Sequence, residues 1–425
     1  MLGLFLALVA QDTLRLPPGV TRGPLVLDRP TVVLGAPGAV LRGEGRGSVI
    51  VVNAPHCVVR GLRIEGSGRD LDQDDAGVMI RADSVTLEDL VIRDVLFGVY
   101  LYQVRGARLA RLDIAGAAAA RESSQGNGIE FYYSRDVRVD SATITGVRDG
   151  MYFAYSDSVT VSGSAVRGVR FGLHFMFSHD DRFARNTFTD NAAGAVLMNS
   201  TGVRVEDNVF AWNGGSRSYG LVLQTATAPV VTGNLLVGNG VGVLFDNVIR
   251  GAFRGNLVAA NWLGLELFNS SEGTAITGNA LAGNTFDATG GGLAGAYTLC
   301  EGGRGNYWAR AASEGYDLDG DGVLDAPHPA GSPFAALAVA RPGLRLFLES
   351  PAARTLDWAE RSFPVFDAGG VTDGCPLARP PATPALDRLP PAPRGSEGGA
   401  GGQRAAGGIA LALGAVALAF ARRRG

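Results

Sequence analysis

Written from one glycine to the next, the chain aligns with itself. The segments Gly77-Val-Met-Ile, Gly98-Val-Tyr-Leu-Tyr, Gly128-Ile-Glu-Phe-Tyr-Tyr-Ser134, Gly150-Met-Tyr-Phe-Ala-Tyr-Ser156, Gly172-Leu-His-Phe-Met-Phe-Ser178 and Gly194-Ala-Val-Leu-Met-Asn-Ser200 open the series. Gly220-Leu-Val-Leu-Gln, Gly242-Val-Leu-Phe-Asp and Gly264-Leu-Glu-Leu-Phe-Asn-Ser270 continue it. From Gly128 to Gly194 the spacings are 22, 22 and 22, and later ones are 26, 22 and 22. The insertion falls at Gly214-Gly215-Ser216-Arg217 and reads as an enlarged turn. A fixed period of this length means stacked supersecondary units, each unable to bury its apolar face alone.

Within each repeat the pattern alternates with period two, as in strands. The first and third residues after each glycine are apolar: Ile129 and Phe131, Met151 and Phe153, Leu173 and Phe175, Leu221 and Leu223. These face inward, and no helical period interrupts them. A second register runs through Asn186, Asn208, Asn234, Asn256 and Asn279, and a third through Asn191, Asn213, Asn239, Asn261 and Asn284. Asparagines stacked coil on coil pass amide hydrogen bonds along a solenoid and tolerate left-handed corners. The expected fold is all-β: a right-handed single-stranded parallel β-helix of about 22-residue coils. Its span is 20–286, with roughly ten to twelve coils from Pro24 to Phe286 stacked at about 4.8 Å.

The flanks differ in composition. Residues 1–10 form an apolar, signal-like segment without a basic n-region. Residues 287–366 read as a C-terminal cap ending in a short helix near Leu356–Arg361. Residues 367–406, rich in Pro, Ala and Gly, read as an extended linker. Residues 407–425 form a short apolar helix closed by Arg422, Arg423 and Arg424, a candidate membrane tether. Of the three cysteines, Cys57 lies in an apolar run, while Cys300 and Cys375 are available to pair with each other. A net charge of -3 leaves no footprint for nucleic acid.

A β-helix is a scaffold, so function must be sought on its surface. The outward second-position column reads Glu130, Tyr152, His174, Val196, Val222, and the fourth-position column Tyr132, Ala154, Met176, Met198, Gln224. The expected partner or cargo surface comprises Tyr132, Tyr152, Tyr155, Arg170, His174, Met176, His179, Asp180, Asp181 and Met198. His174, Met176 and Met198 together form a soft donor set suited to transient copper. The competing reading is an apolar docking patch or a loop-covered face. In Asp317-Leu-Asp-Gly-Asp-Gly-Val-Leu-Asp325, the carboxylates Asp317, Asp319, Asp321 and Asp325 follow a calcium-loop pattern, but the twelfth position is His328 rather than Glu. For a polysaccharide lyase or epimerase, carboxylates should cluster with a basic partner on one face. The densest acidic run, Asp70 to Asp75, has no aromatic platform beside it.

The stretches Gly150-Met-Tyr-Phe-Ala-Tyr-Ser, Arg170-Phe-Gly-Leu-His-Phe-Met-Phe-Ser-His-Asp-Asp181 and Ala193-Gly-Ala-Val-Leu-Met-Asn-Ser200 resemble the NosD family. So do Gly305-Asn-Tyr-Trp and the acidic turn that follows it. The resemblance spans roughly residues 20–366. It implies a periplasmic, non-enzymatic β-helix that assists assembly of the copper–sulfide cluster of nitrous oxide reductase. The implied partners are an ABC transporter permease and ATPase, the apo-reductase and a copper chaperone lipoprotein, with no tightly bound cofactor. The family often carries Tyr where this chain has Phe171, Phe175 and Asn199. A polysaccharide-binding or polysaccharide-modifying β-helix stands as the alternative.

Overall fold

The computed structural model describes residues 12–117, 121–214, 218–290, 292–293, 295–331, 333–341, 343, 350, 355 and 370–392. The signal-like segment, the helix expected near Leu356–Arg361, the end of the linker and the apolar tail lie outside these residues. The chain divides into two compact units, Met1–Asn186 and Thr187–Gly425. Both are built from parallel strands, and the fold is the all-β right-handed parallel β-helix that the repeat implied.

In the first unit each coil contributes strands to three columns. One column runs Leu25–Leu27, Ile50–Val52, Ala76–Ile80, Phe97–Tyr102, Ile129–Tyr132, Asp149–Ala154 and Phe171–Met176, each parallel to the next. The other two are continuous in Val58–Glu65, Thr86–Arg93 and Arg108–Ala115, and split into short strands from Arg138–Asp140 onward. The apolar alternation falls as expected. Ile129, Phe131, Met151, Phe153, Leu173 and Phe175 are fully buried. Phe131 and Phe153 stack with centroids 4.4 Å apart. The repeating glycine is explained by close approach rather than by backbone freedom. A Cβ on Gly98, Gly128 or Gly150 would lie 2.3, 2.6 or 2.6 Å from the carbonyl oxygen of the next coil's glycine.

In the second unit the longer column runs Ala193–Thr201, Tyr219–Thr227, Val241–Ile249, Leu263–Leu267 and Phe286–Gly290. The asparagine ladders are complete. Asn234 donates its backbone N–H and side-chain amide to Asn256 Oδ1, both at 2.9 Å, and Asn256 repeats this on Asn279 at 3.0 Å. Asn213, Asn239 and Asn261 do the same on Asn239, Asn261 and Asn284 in turn. One detail differs from expectation: the left-handed corner belongs to the residue before each asparagine, such as Asp207, Trp212 or Ala260. The asparagine keeps ordinary backbone angles so that its amide can point along the stack.

Two features of the second unit depart from the expected boundaries. Parallel pairing continues past residue 286, through Tyr297–Thr298 and Tyr307–Trp308, and Asn306 extends a ladder from Asn279. The segment expected as an extended linker is instead packed from 370 to 392. Cys300 and Cys375 form a disulfide. The buried Asp373 carboxylate accepts from the Asn306 backbone at 2.8 Å and the Trp308 indole at 2.9 Å. Leu377, Leu386 and Leu389 then lie on an apolar strip that includes Val209, Ala211, Leu235, Val237, Leu257, Ala259, Ala280 and Ala282. The physical reason is that these strand residues point outward and are apolar. In the first unit the matching residues Ala165 and Arg167 are exposed. An uncovered strip would be costly in water, and the proline-rich segment covers it.

Candidate functional site

The site grows from the outward face of the first unit. Tyr100, Glu130, Tyr152 and His174 occupy one register position on successive strands. Beside them, Asp149 precedes Gly150 and is fully buried. Its Oδ1 accepts from Arg170 Nε at 2.8 Å, and its Oδ2 from Arg170 Nη2 at 2.6 Å. The same Oδ2 lies 2.8 Å from His174 Nδ1. Burial works to raise the Asp149 carboxyl, but the hydrogen bonds from His174 and Arg170 outweigh it and hold the group below the ordinary carboxylate range.

The imidazole is clamped by rings. Tyr152 and Phe171 meet His174 edge-on, with centroids 4.7 and 5.0 Å away, and Arg170 lies over the Phe171 ring at 4.5 Å. Two residues along the strand, the Met176 thioether accepts the Tyr152 hydroxyl at 3.6 Å. Imidazole nitrogen, thioether sulfur and phenol oxygen therefore converge on one patch, and all three donors are uncharged when the imidazole is neutral.

The patch has a buried acidic flank. Glu130 is only 7% exposed and accepts from Asn127 Nδ2 at 2.6 Å. Burial pushes its carboxyl up to about 8, against the opposing pull of Asn127 and Arg148. Asp74 is also raised by burial, while its hydrogen bond to Tyr100 pulls the other way. Arg148 lies 4.0 Å from Asp149, and its buried Nε has no hydrogen-bond partner among the described residues.

Below Met176 runs a ladder of exposed rings. Tyr133, Tyr155 and Phe177 are 47%, 46% and 40% exposed. They stack with centroids 4.8 and 5.2 Å apart and planes within 12°. All three adopt left-handed backbone angles, which cost a bulky residue of the order of 1 kcal/mol each. That conformation turns the rings outward, where stacking offsets the strain. Tyr132 stacks on Tyr102 and meets Tyr133 edge-on. Because each ring covers the face of its neighbour, the strip offers ring edges to a partner.

The expected surface residues thus fall into separate groups. Tyr132, Tyr152, Tyr155, Arg170, His174 and Met176 share the first unit's face, with Arg170 turned inward on Asp149. His179 and Asp180 are exposed in the following turn, where the His179 backbone N–H donates to Asp157. Asp181 is a correction: it is fully buried, accepts the Val159 N–H and is pushed up to about 9 by burial. It serves the coil rather than the surface. Met198 is half-buried in the second unit on Ala193–Thr201, beside Gln224. Asp149, Tyr133 and Phe177 were not anticipated. A signal for Asp149 was present: it and Asn127 are the polar members of a column that otherwise reads Ala76, Phe97, Phe171, Ala193, Tyr219, Val241 and Leu263.

In the acidic turn, carboxylate oxygens of Asp317, Asp319 and Asp321 lie within 4.8 Å of one another. Asp325 does not join them, because its carboxylate accepts the Leu318 N–H at 2.9 Å and closes the loop. His328 lies opposite Asp373 in a short antiparallel strand pair and packs on Trp308, and burial lowers it to about 4.

The class that fold and site define is a parallel β-solenoid displaying a nitrogen and sulfur donor face on a rigid sheet. A family model described as periplasmic copper-binding protein (NosD) matches residues 111–313. The chain is 34% identical over 382 residues to the probable ABC transporter binding protein NosD of Pseudomonas aeruginosa, covering 85% of this chain and 86% of that one. It is 32% identical over 390 residues to the protein of the same description from Stutzerimonas stutzeri, covering 86% and 87%. The chain belongs to the NosD family. The A-module of the Azotobacter vinelandii mannuronan C-5 epimerase AlgE4 shares the fold, with a TM-score of 0.50, 15% identity and coverage of 68% of this chain and 91% of that one.

Proposed function

We propose that this chain is a periplasmic accessory protein that works with an ABC transporter in building the copper–sulfide centre of nitrous oxide reductase. Copper is cargo in this reading, not a resident cofactor. The observation that carries it is the His174–Met176 pair: an imidazole locked by Asp149 beside a thioether, on a chain whose family is described as copper-binding. Neutral nitrogen and sulfur donors suit Cu(I). Met198, on the second unit, is proposed as a further thioether contact for the same cargo.

The aromatic edges of Tyr133, Tyr155 and Phe177 suit a protein partner, either the apo-reductase or a copper chaperone lipoprotein. Methionine sulfur favours ring edges, and such surfaces adapt to more than one partner. The transporter permease and ATPase are the proposed membrane partners, with the C-terminal tail as an added tether. Among the described residues no helix is long and apolar enough to cross a membrane. The Asp317, Asp319 and Asp321 turn is proposed to take calcium with three carboxylates rather than four.

A pull-down from membranes with the tagged full chain tests this reading. Co-purification of a permease and an ATPase supports it. Their absence, with a glycan retained instead, moves the reading to a carbohydrate protein. One observation favours that second reading: the raised Glu130 carboxyl near the Asp149–His174 pair is a potential acid and base. The ring ladder argues against it, since sugar rings stack on aromatic faces and these faces are covered by one another.

A further inference from the structure

We infer that Asp149 is a positioning residue for His174, fixing the imidazole proton on Nδ1 so that Nε2 is the nitrogen that takes a ligand. This rests on the reading of His174 as a cargo donor and deepens it. The geometry around Asp149 leaves one assignment. Its carboxylate is fully buried and bound through both oxygens by Arg170, which keeps it an acceptor. An acceptor 2.8 Å from Nδ1 requires a proton on that nitrogen, because a lone pair there would face the carboxylate lone pairs. Arg170 Nη2 lies 3.5 Å from Nδ1, well beyond the 2.8 Å of Asp149 Oδ2, and is a donor bound at 2.6 Å to that same carboxylate. Asn127 Oδ1 accepts the Asp149 backbone N–H at 3.2 Å and anchors the carboxylate from the preceding coil. Nε2 has no hydrogen-bond partner among the described residues. A carboxylate behind a histidine, fixing its tautomer and raising its basicity, is the arrangement that supports metal-binding imidazoles.

Arg170 adds a second consequence. It cancels the charge of Asp149, so the patch offers an incoming ion uncharged donors only. With the Met176 thioether beside the imidazole, the ligand class is a soft cation. Arg170 acts through this lock and not as a direct partner contact.

The test is the tautomer of His174 in the full-length wild-type protein. It is read by long-range proton–nitrogen correlation of the four histidines, with the resonance identified by its loss in His174→Gln. The expected result is a single neutral tautomer carrying its proton on Nδ1. A proton on Nε2, or an even mixture, in the wild-type protein overturns the inference. In Asp149→Asn the single tautomer should give way to a mixture, and silver(I) affinity should fall about 10–100-fold. An unchanged tautomer and affinity in that variant overturn the positioning role. Silver(I) titration of the wild type separates the two ideas. The Nδ1–H tautomer without silver binding upholds the lock and removes the cargo reading. Silver bound at His174 with the proton on Nε2 does the reverse.

Discussion

The indole N–H of Trp212 donates to the carbonyl of Pro390 at 3.0 Å, joining residues 178 positions apart. The contact ends a strap that begins at the Cys300–Cys375 disulfide and crosses the second unit's apolar strip through Leu377, Leu386 and Leu389. Arg388 adds a hydrogen bond to the Asp207 carbonyl. A proline-rich segment is well suited to this task, since it lies extended and loses little entropy on ordering.

Removing the anchor should loosen the strap. Trp212→Phe is expected to cost about 1 kcal/mol through the lost hydrogen bond. Trp212→Ala should cost about 3–5 kcal/mol through the lost burial. Urea unfolding measures both, and an unchanged midpoint in the alanine variant would mean that the strap is not part of the folded unit.

The disulfide closes a 75-residue span, from Cys300 in the last coils to Cys375 at the strap's base. Replacing both cysteines by serine should lower stability by about 2–4 kcal/mol. The same shift should follow when the wild-type protein is melted in reductant. Cys57, buried in the first unit, should be silent in that comparison.

Asn256 is fully buried and bonded on every side: it accepts from Asn234 and donates to Asn279 and to the Val231 carbonyl. Asn256→Ala leaves several of these groups without partners and should cost about 2–4 kcal/mol. The exposed Asn53, which bonds only Asp28 through its side chain, is the control. Asn53→Ala should change the unfolding midpoint by less than about 0.5 kcal/mol equivalent. Equal losses at the two positions would remove the ladder from the account of stability.

Glu130 and Asp181 set a pH dependence. Their carboxyls are raised to about 8 and about 9 by burial, so the folded chain holds these protons more tightly than the unfolded chain. Their effect on stability is absent below the unfolded carboxylate range, near about 4. Stability then falls as pH rises towards the folded values, because the unfolded state releases the protons first. Glu130→Gln and Asp181→Asn should each flatten the loss between pH 5 and pH 8. Unfolding midpoints at the two pH values check this; equal slopes in variant and wild type would show that neither group carries a proton in the fold.

Much of this architecture was legible in the sequence because the period does the work. Gly128, Gly150 and Gly172 mark a close coil contact, and Phe131, Phe153 and Phe175 the core behind it. The asparagine columns were readable for the same reason, although not which residue takes the left-handed corner. The site was legible only in part. His174 and Met176 stand out as unusual outward residues, but Asp149 acts across a coil from His174, and only the coil register brings the two together. Asp181 looked like a surface acid because it follows His179 and Asp180, yet its turn points it inward. The strap was hidden by composition: proline-rich segments usually read as linkers. The contrary clue was the outward apolar pairs Leu235/Val237 and Leu257/Ala259.

The central claim is that the His174–Met176 face serves assembly of a copper–sulfide centre. The most direct test replaces His174, Met176 and Met198 by Ala in the full chain and measures the copper–sulfide occupancy of nitrous oxide reductase purified from the same cells. The account expects a folded variant, with an unfolding midpoint close to wild type, and a reductase deficient in that centre. Full occupancy beside a folded variant would contradict it.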